Sequence, residues 1–259
     1  MDDQDQSYLE DLINFFKDEK DIYGDFSVES SSSSEPKVEK TEEKSASNAE
    51  TKNESKQHSE PVHLSAEEKI NQCTTLEELR VLCEQAEELK TDLDNTNLVF
   101  GVGNESADLM IIGEAPGEQE DKKGEPFVGP AGQLLDKILE AINFSRDDVY
   151  IANILKHRPP DNRNPNSEEI ERSLPYLMRQ IDLIDPKIIL CLGKISALSL
   201  LGKDDALKNI RGKFFNFRQC ELTATYHPAA LLRNPKWKRP TWEDVQLVRK
   251  RYDELGGTP

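Results

Sequence analysis

The chain has 259 residues, and only 36% of them are hydrophobic, a low fraction that predicts that part of the chain does not pack into a core. The net charge of −17 is unevenly spread: residues 1–60 hold 17 acids and 7 bases, whereas residues 201–259 hold 12 bases and 7 acids. The acidic total therefore does not exclude a nucleic-acid partner for the C-terminal part of the chain.

Membrane and secreted proteins are disfavoured by the same sequence. The longest apolar runs, LMII at 109–112 and IILCL at 188–192, are far too short to span a bilayer, so we expect no membrane partner. The start, MDDQDQ, is acidic where a signal peptide would be basic, and we do not expect export. The four cysteines do not resemble a disulfide framework, so a reducing, cytoplasmic setting fits best.

The first 60 residues form a predicted acidic tail. Residues 8–16, YLEDLINFF, have helical spacing with acids on the other face, which predicts a short amphipathic helix. This helix is either a docking peptide for a protein partner or a transient helix. Residues 26–60 contain almost no large apolar side chain, and we expect them to be disordered. The globular domain is expected over residues 61–259.

Within that domain, short apolar runs alternate with helical patterns. Such alternation predicts an α/β fold, a three-layer αβα sandwich around a central four-stranded parallel sheet. In such sheets ligands bind outside the carboxyl ends of the strands. The predicted strands are 108–113, 149–154, 187–193 and 221–226, and the predicted helices are 65–90, 131–142, 167–182, 195–201 and 241–254.

The first strand is followed by a long glycine- and proline-rich loop, GEAPGEQEDKKGEPFVGPAG, at 113–132. Glycines allow a ligand to approach the backbone closely. A plain surface loop is the alternative, but the embedded Phe127 argues against it, because an apolar ring in a polar loop usually covers something. A phosphate-binding loop is disfavoured because GxxxxGK[ST] is absent.

Polar and basic residues follow the second and fourth strands. Asn153 ends the second strand, where its amide could read a base edge or simply cap the strand. His227 stands at the end of the fourth strand, a position that favours function over structure. Basic residues that could contact phosphates lie in the two loops: Arg158, Arg163, Arg233 and Lys236.

Taken together, these segments resemble the uracil-DNA glycosylase superfamily, most closely the bacterial and archaeal family 4. The resemblance covers about 94–252 and includes GEAPGEQED, GEPFVGPAGQLL, YIANILKHRPPDNRNP, CLGKISALSLLG and TYHPAALLRNP, in family order and spacing. It implies a DNA glycosylase that flips uracil out of DNA and hydrolyses its N-glycosidic bond in base-excision repair.

The resemblance also implies roles for individual residues. Phe127 would stack on uracil, Asn153 would bind the pyrimidine edge, and His227 would stabilise charge on the leaving base. Glu114 would shape the water site, and Glu120 would hold or activate the attacking water. Ala115 stands where some relatives carry a tyrosine that excludes thymine. Leu231 would be a minor-groove wedge, and Arg233 with the neighbouring lysines would hold phosphates.

One part of the family pattern is broken. Family 4 enzymes usually hold a [4Fe–4S] cluster on four cysteines, and here His157 and Ser173 stand at two of those positions, while Cys83 has no second cysteine near it. Fe–S clusters normally need four thiolates. We therefore expect no cofactor, with Cys83 and His157 as the only remnants of a metal site, and we expect packing or hydrogen bonding to hold the N-terminal helices.

Two functions remain open at this point. The first is an enzyme, a monomer that acts on uracil-containing DNA. The second is a catalytically degenerate module that binds uracil or single-stranded DNA without turnover. The retained Glu120 favours the enzyme, because a pure binder would not need an acid that holds water.

Overall fold

The computed structural model describes residues 65–257, so the predicted acidic tail and its helix at 8–16 lie outside the described residues. The chain forms one six-stranded sheet with the strand order β1-β3-β2-β4-β6-β5. The strands are β1 Val102–Gly103, β2 Leu109–Gly113, β3 Tyr150–Asn153, β4 Ile188–Leu192, β5 Phe215–Phe217 and β6 Cys220–Thr225. The helices are α1 Ala66–Gln72, α2 Leu76–Gln85, α3 Glu118–Lys123, α4 Pro130–Ala141, α5 Ser167–Ile184, α6 Lys194–Leu201, α7 Leu207–Ile210, α8 Pro228–Arg233 and α9 Lys238–Glu254.

The α/β class is confirmed, but the sheet has six strands rather than the predicted four. The four predicted strands, now β2, β3, β4 and β6, do pair in parallel. Two further strands close the edges in the antiparallel direction, β1 against β3 and β5 against β6. These edge strands are two and three residues long and carry no continuous apolar run, so their pairing depends on the neighbouring strand rather than on their own sequence.

Helices cover both faces of the sheet because successive side chains of a strand point to opposite faces. In β2, Leu109 and Ile111 pack into the core on the side of α4 and α9. Met110 and Ile112 pack into the core on the side of α1, α2, α5 and α6. All five residues of β2 are buried, as expected for a central strand of a three-layer sandwich.

The predicted helix at 65–90 is divided into two α-helices and a 3-10 turn at Glu87–Leu89. The break occurs because Thr75 starts a second helix: its side chain accepts from the N–H of Glu78, whose carboxylate accepts from the N–H of Thr75. The region docks on α5, where the Arg179 guanidinium donates to the Cys73 carbonyl. This contact and the apolar core attach the N-terminal helices to the sheet layer.

The described residues bear on two features discussed above, membrane-spanning helices and the state of the cysteines. Within residues 65–257, no helix combines the length and the apolar character needed to cross a membrane. The four cysteines, Cys73, Cys83, Cys191 and Cys220, are free thiols.

Candidate active site

A cavity of about 350 Å³ opens at the carboxyl edge of the sheet, where the loops after β2, β3 and β6 meet. A volume of this size is typical of small-molecule sites. The three loops come together because parallel strands place their carboxyl ends at one edge. Of the predicted site residues, the cavity is lined by Glu114, Ala115, Glu120, Phe127, Asn153, Arg163, His227 and Arg233.

Asn153 presents an unpaired oxygen to this cavity. It is the last residue of β3, is buried, and lies opposite Gly113 of β2. Among the described residues, its Oδ1 atom has no hydrogen-bond partner. A buried polar group without a partner costs roughly 1–3 kcal/mol, so this oxygen is suited to accept a bond from a ligand.

Phe127 lies against His227 at the cavity wall. Their ring centroids are 5.5 Å apart, with an angle of 30° between the planes. The backbone of Phe127 is left-handed, with φ of 54°. This conformation is uncommon for a bulky residue and indicates that the surrounding contacts hold the ring in place.

Arg146 supplies one of those contacts, and no sequence motif pointed to it. Its guanidinium donates hydrogen bonds to the carbonyls of Phe127 and Pro126. Its Nε atom also bonds Asp136 Oδ1 at 2.6 Å. Arg146 lies in a short 3-10 turn that follows α4, outside every motif of the resemblance, so only the tertiary structure brings it to the Phe127 loop.

His227 is held as a neutral imidazole with a defined proton position. Burial, assisted by the positive charge of Arg233 and opposed by Glu120, lowers the pKa of His227 to about 4. Its Nδ1 atom accepts the backbone N–H of Ala229 at 3.2 Å, at the start of α8. The single proton of the neutral ring is therefore on Nε2, which makes Nε2 a hydrogen-bond donor.

Two acids lie in the cavity in different environments. Glu120 Oε1 accepts the backbone N–H groups of Val128 and Gly129, both at 2.9 Å, and so fixes the loop that carries Phe127. Burial raises the pKa of Glu114 to about 7, although Arg233 acts in the opposite direction. Near neutral pH, Glu114 therefore exchanges a proton readily, which suits a group that handles water.

The predicted wedge residue, Leu231, does not lie on the surface. Its side chain is 1% exposed and packs in the core on the side of α4 and α9. The neighbouring Leu232 is 36% exposed, because successive residues of α8 point in different directions. The wedge role of Leu231 stays a prediction for a residue that is buried in this structure, and Leu232 is the exposed leucine of α8.

The four predicted phosphate-binding residues fall into two groups. Arg233 and Lys236 are exposed, in α8 and in the 3-10 turn that follows it. Arg163 instead forms a two-pronged ion pair with the buried carboxylate of Glu169, with both N–O distances at 2.8 Å. Arg158 donates from Nε to Asn162 Oδ1 at 2.7 Å. The last two arginines thus support the loop after β3.

The residues at the expected cluster positions do not fit an iron–sulfur cluster. His157 Nδ1 is bonded to Thr96 Oγ1 at 2.9 Å, and Ser173 Oγ donates to the Ile154 carbonyl at 2.6 Å. Burial raises the pKa of the Cys83 thiol to about 12, and residue 86, which would complete a Cys-x-x-Cys pair with it, is alanine. Nowhere in residues 65–257 do three or more His, Cys, Asp or Glu side chains group to hold a metal ion.

Comparisons with known proteins agree with the resemblance. Residues 100–246 match the family described as the uracil DNA glycosylase superfamily. Three relatives are named type-4 uracil-DNA glycosylase. The protein of Archaeoglobus fulgidus is 43% identical over 65% of this chain and 87% of the relative. The protein of Pyrobaculum aerophilum is 42% identical over 66% of this chain and 92% of the relative. The protein of Sulfurisphaera tokodaii is 44% identical over 63% of this chain and 77% of the relative. Because the family match covers more than half of the sequence, this chain belongs to the uracil DNA glycosylase superfamily.

Proposed function

We propose that this protein is a uracil-DNA glycosylase, a hydrolase that cleaves the bond between uracil and deoxyribose in DNA and so begins base-excision repair. The names of the relatives support this activity. The observation that carries the proposal is the buried, unpaired Oδ1 of Asn153 in a cavity that also contains Phe127 and His227. Uracil offers an N3–H donor to such an oxygen, whereas cytosine offers an acceptor at N3.

The target base has to leave the duplex stack to reach this cavity, at a cost of a few kcal/mol. Phe127 offsets part of that cost by stacking on the extruded ring. Asn153 accepts from N3–H of uracil. Ala115 lies in the cavity wall, and its side chain is too small to exclude the C5 methyl group of thymine. Selection against thymine therefore falls to other residues of the loop.

Bond cleavage leaves negative charge on the base and positive charge on the sugar. His227 donates from Nε2 to uracil O2 and stabilises the anionic leaving group, a role for which a neutral imidazole with Nδ1 already occupied is suited. Glu120 holds the attacking water, and Glu114 shapes the water site. The carboxylate of Glu120 also offsets the positive charge of the sugar.

Exposed basic groups on α8 and the following turn, Arg233 and Lys236, bind the phosphates of the DNA partner. We further propose that the enzyme acts as a monomer in a reducing, cytoplasmic setting, in which its four thiols would stay free.

The test is release of free uracil from single-stranded and duplex oligonucleotides with one uracil. We expect the wild-type protein to release uracil and His227→Ala to be slower by roughly 10²–10³-fold, the usual cost of losing one donor to a developing anion. Asn153→Ala should also be strongly impaired, while Asn216→Ala, at an exposed asparagine on β5, should match wild type. Tight binding of the oligonucleotide without release would instead identify a binding module.

A further inference from the structure

The segment that leaves β3 after Asn153 is held by a side chain of α5 and by one of its own side chains. Ser173 of α5 donates from Oγ to the carbonyl of Ile154 at 2.6 Å. Lys156 Nζ donates to the carbonyl of Asn153 at 3.1 Å. Two consecutive carbonyls next to the cavity are thus bonded by buried side chains.

Further bonds continue along the same segment. The backbone N–H of Val99 donates to the Lys156 carbonyl at 2.8 Å, and Thr91 Oγ1 donates to the Arg158 carbonyl at 2.5 Å. Thr96 Oγ1 bonds His157 Nδ1. The three partners all lie in residues 91–99, the stretch that leads from the N-terminal helices to β1.

Lys156 is an unusual member of this group because its side chain is completely buried. Nζ has three acceptors, the carbonyls of Phe100 and Asn153 and the side-chain oxygen of Gln180. Burying an ammonium group is costly even after the surroundings relax, because the charge loses its hydration. All three hydrogens of the Lys156 ammonium group are matched to oxygens. This arrangement indicates that the backbone beside Asn153 must be held in one fixed position.

Two members of this group, His157 and Ser173, occupy positions where the family pattern has cluster cysteines. We propose that Ser173 and Lys156 are positioning residues for Asn153, and that this hydrogen-bonded support holds the segment without iron. The inference rests on the proposed function for its activity readout. Side chains that hydrogen-bond the backbone thus hold the segment at positions where the family pattern has cysteine thiolates bound to a metal.

Ser173→Ala is the variant of choice, because replacing Lys156 would remove three bonds and threaten folding. Ser196→Ala is the matched control. Ser196 is equally buried, and its Oγ atom also donates to a backbone carbonyl, that of Leu192 at 2.9 Å, but at the start of α6 rather than on the Asn153 segment. Ser196 Oγ also lies 3.3 Å from the Gly193 carbonyl, and each variant loses one buried hydroxyl donor, so the two should lose similar stability.

We expect Ser173→Ala to lower kcat/KM for uracil release by roughly 2- to 10-fold, the equivalent of one hydrogen bond, and Ser196→Ala to leave it unchanged. Ser173→Thr, which keeps the hydroxyl, should restore activity. In a double-mutant cycle, Ser173→Ala should have no further effect on an Asn153→Ala background, because its action passes through Asn153. Equal effects of Ser173→Ala on both backgrounds would overturn the proposal.

Two measurements do not depend on glycosylase activity. Backbone amides of residues 154–157 should exchange hydrogen faster in Ser173→Ala than in Ser196→Ala, so the proposal can fail or stand even if the wild-type protein releases no uracil. Protein purified without oxygen should contain negligible iron. Four iron atoms per chain, or equal amide exchange in the two variants, would overturn it.

Discussion

Gly113 and Asn153 face each other at the last paired position of β2 and β3, and a Cβ atom at residue 113 would lie 2.5 Å from Phe127 Cζ and closer still to Asn153 Oδ1. The absence of a side chain at residue 113 thus lets the Phe127 ring and the Asn153 amide both pack against the backbone of β2. Any residue larger than glycine would displace one of these two side chains, which we assign to uracil binding.

We therefore expect Gly113→Ala to fold but to lose most uracil release, because the added methyl group displaces Phe127 or Asn153, and overpacking costs about 1–3 kcal/mol. Gly202→Ala is the control. Gly202 has a left-handed φ of 60°, so alanine at this position is strained, but its Cβ would contact nothing within 4 Å. Comparable activity of the two variants in a uracil-release assay would contradict this use of Gly113.

The depressed pKa of His227 makes stability depend on pH. The ordinary histidine pKa is 6.5 and burial lowers that of His227 to about 4, so between these values the unfolded chain binds a proton that the folded protein does not. The contribution of His227 to stability is therefore present above pH 6.5 and is lost as the pH falls toward 4, by about 1.4 kcal/mol per pH unit between the two pKa values.

Urea unfolding of wild type and His227→Gln at several pH values tests this. The free energy of unfolding of wild type minus that of the variant should fall as the pH is lowered from 7 to 4. Other titrating groups are present in both proteins and largely cancel. A difference that stays constant over this range would show that His227 is not held neutral by burial.

Arg146 should matter to catalysis although it lies outside the recognised motifs. Arg146→Met removes the donors to the Phe127 and Pro126 carbonyls, and we expect slower uracil release because the left-handed backbone at Phe127 loses its support. Asp136→Asn weakens only the ion pair of Arg146 and leaves those donors in place. If Asp136→Asn proved as damaging as Arg146→Met, the ion pair and not the carbonyl contacts would be responsible.

Leu231 and Leu232 should respond differently to replacement by alanine. Leu231→Ala should lower the free energy of unfolding by about 2–5 kcal/mol, because the side chain is packed in the core. Leu232→Ala should leave stability nearly unchanged and reduce uracil release from duplex more than from single-stranded DNA, since a wedge is needed only where a stack must be opened. An equal reduction of uracil release from duplex and from single-stranded DNA would show that Leu232 is not a wedge.

Lys236→Ala should weaken DNA binding without altering base choice. Loss of one phosphate contact is expected to reduce the slope of log K against log salt by about 0.9 on duplex DNA and about 0.7 on single strands. Lys250→Ala is the control, because Lys250 is exposed on α9, roughly 18 Å beyond the start of that helix. An unchanged slope for Lys236→Ala would count against this basic surface.

The sequence alone determined the four central strands and the chemistry at their ends. Buried parallel strands need continuous apolar runs, and LMII and IILCL supply them, so these strands could be located from composition. Phe127 lies in the loop after β2, Asn153 ends β3 and His227 follows β6. Their convergence follows from parallel geometry, which places the carboxyl ends at one edge.

Only the tertiary structure decided features that depend on distant partners. The edge strands β1 and β5 are too short to be recognised without the strands beside them. The choice between Leu231 and Leu232 depends on which side of α8 faces α4. Arg163 carries the same charge as Arg233, but the buried carboxylate of Glu169 engages it. A residue type specifies what a side chain can do, whereas burial and the nearest oppositely charged group determine which of those roles is left to it.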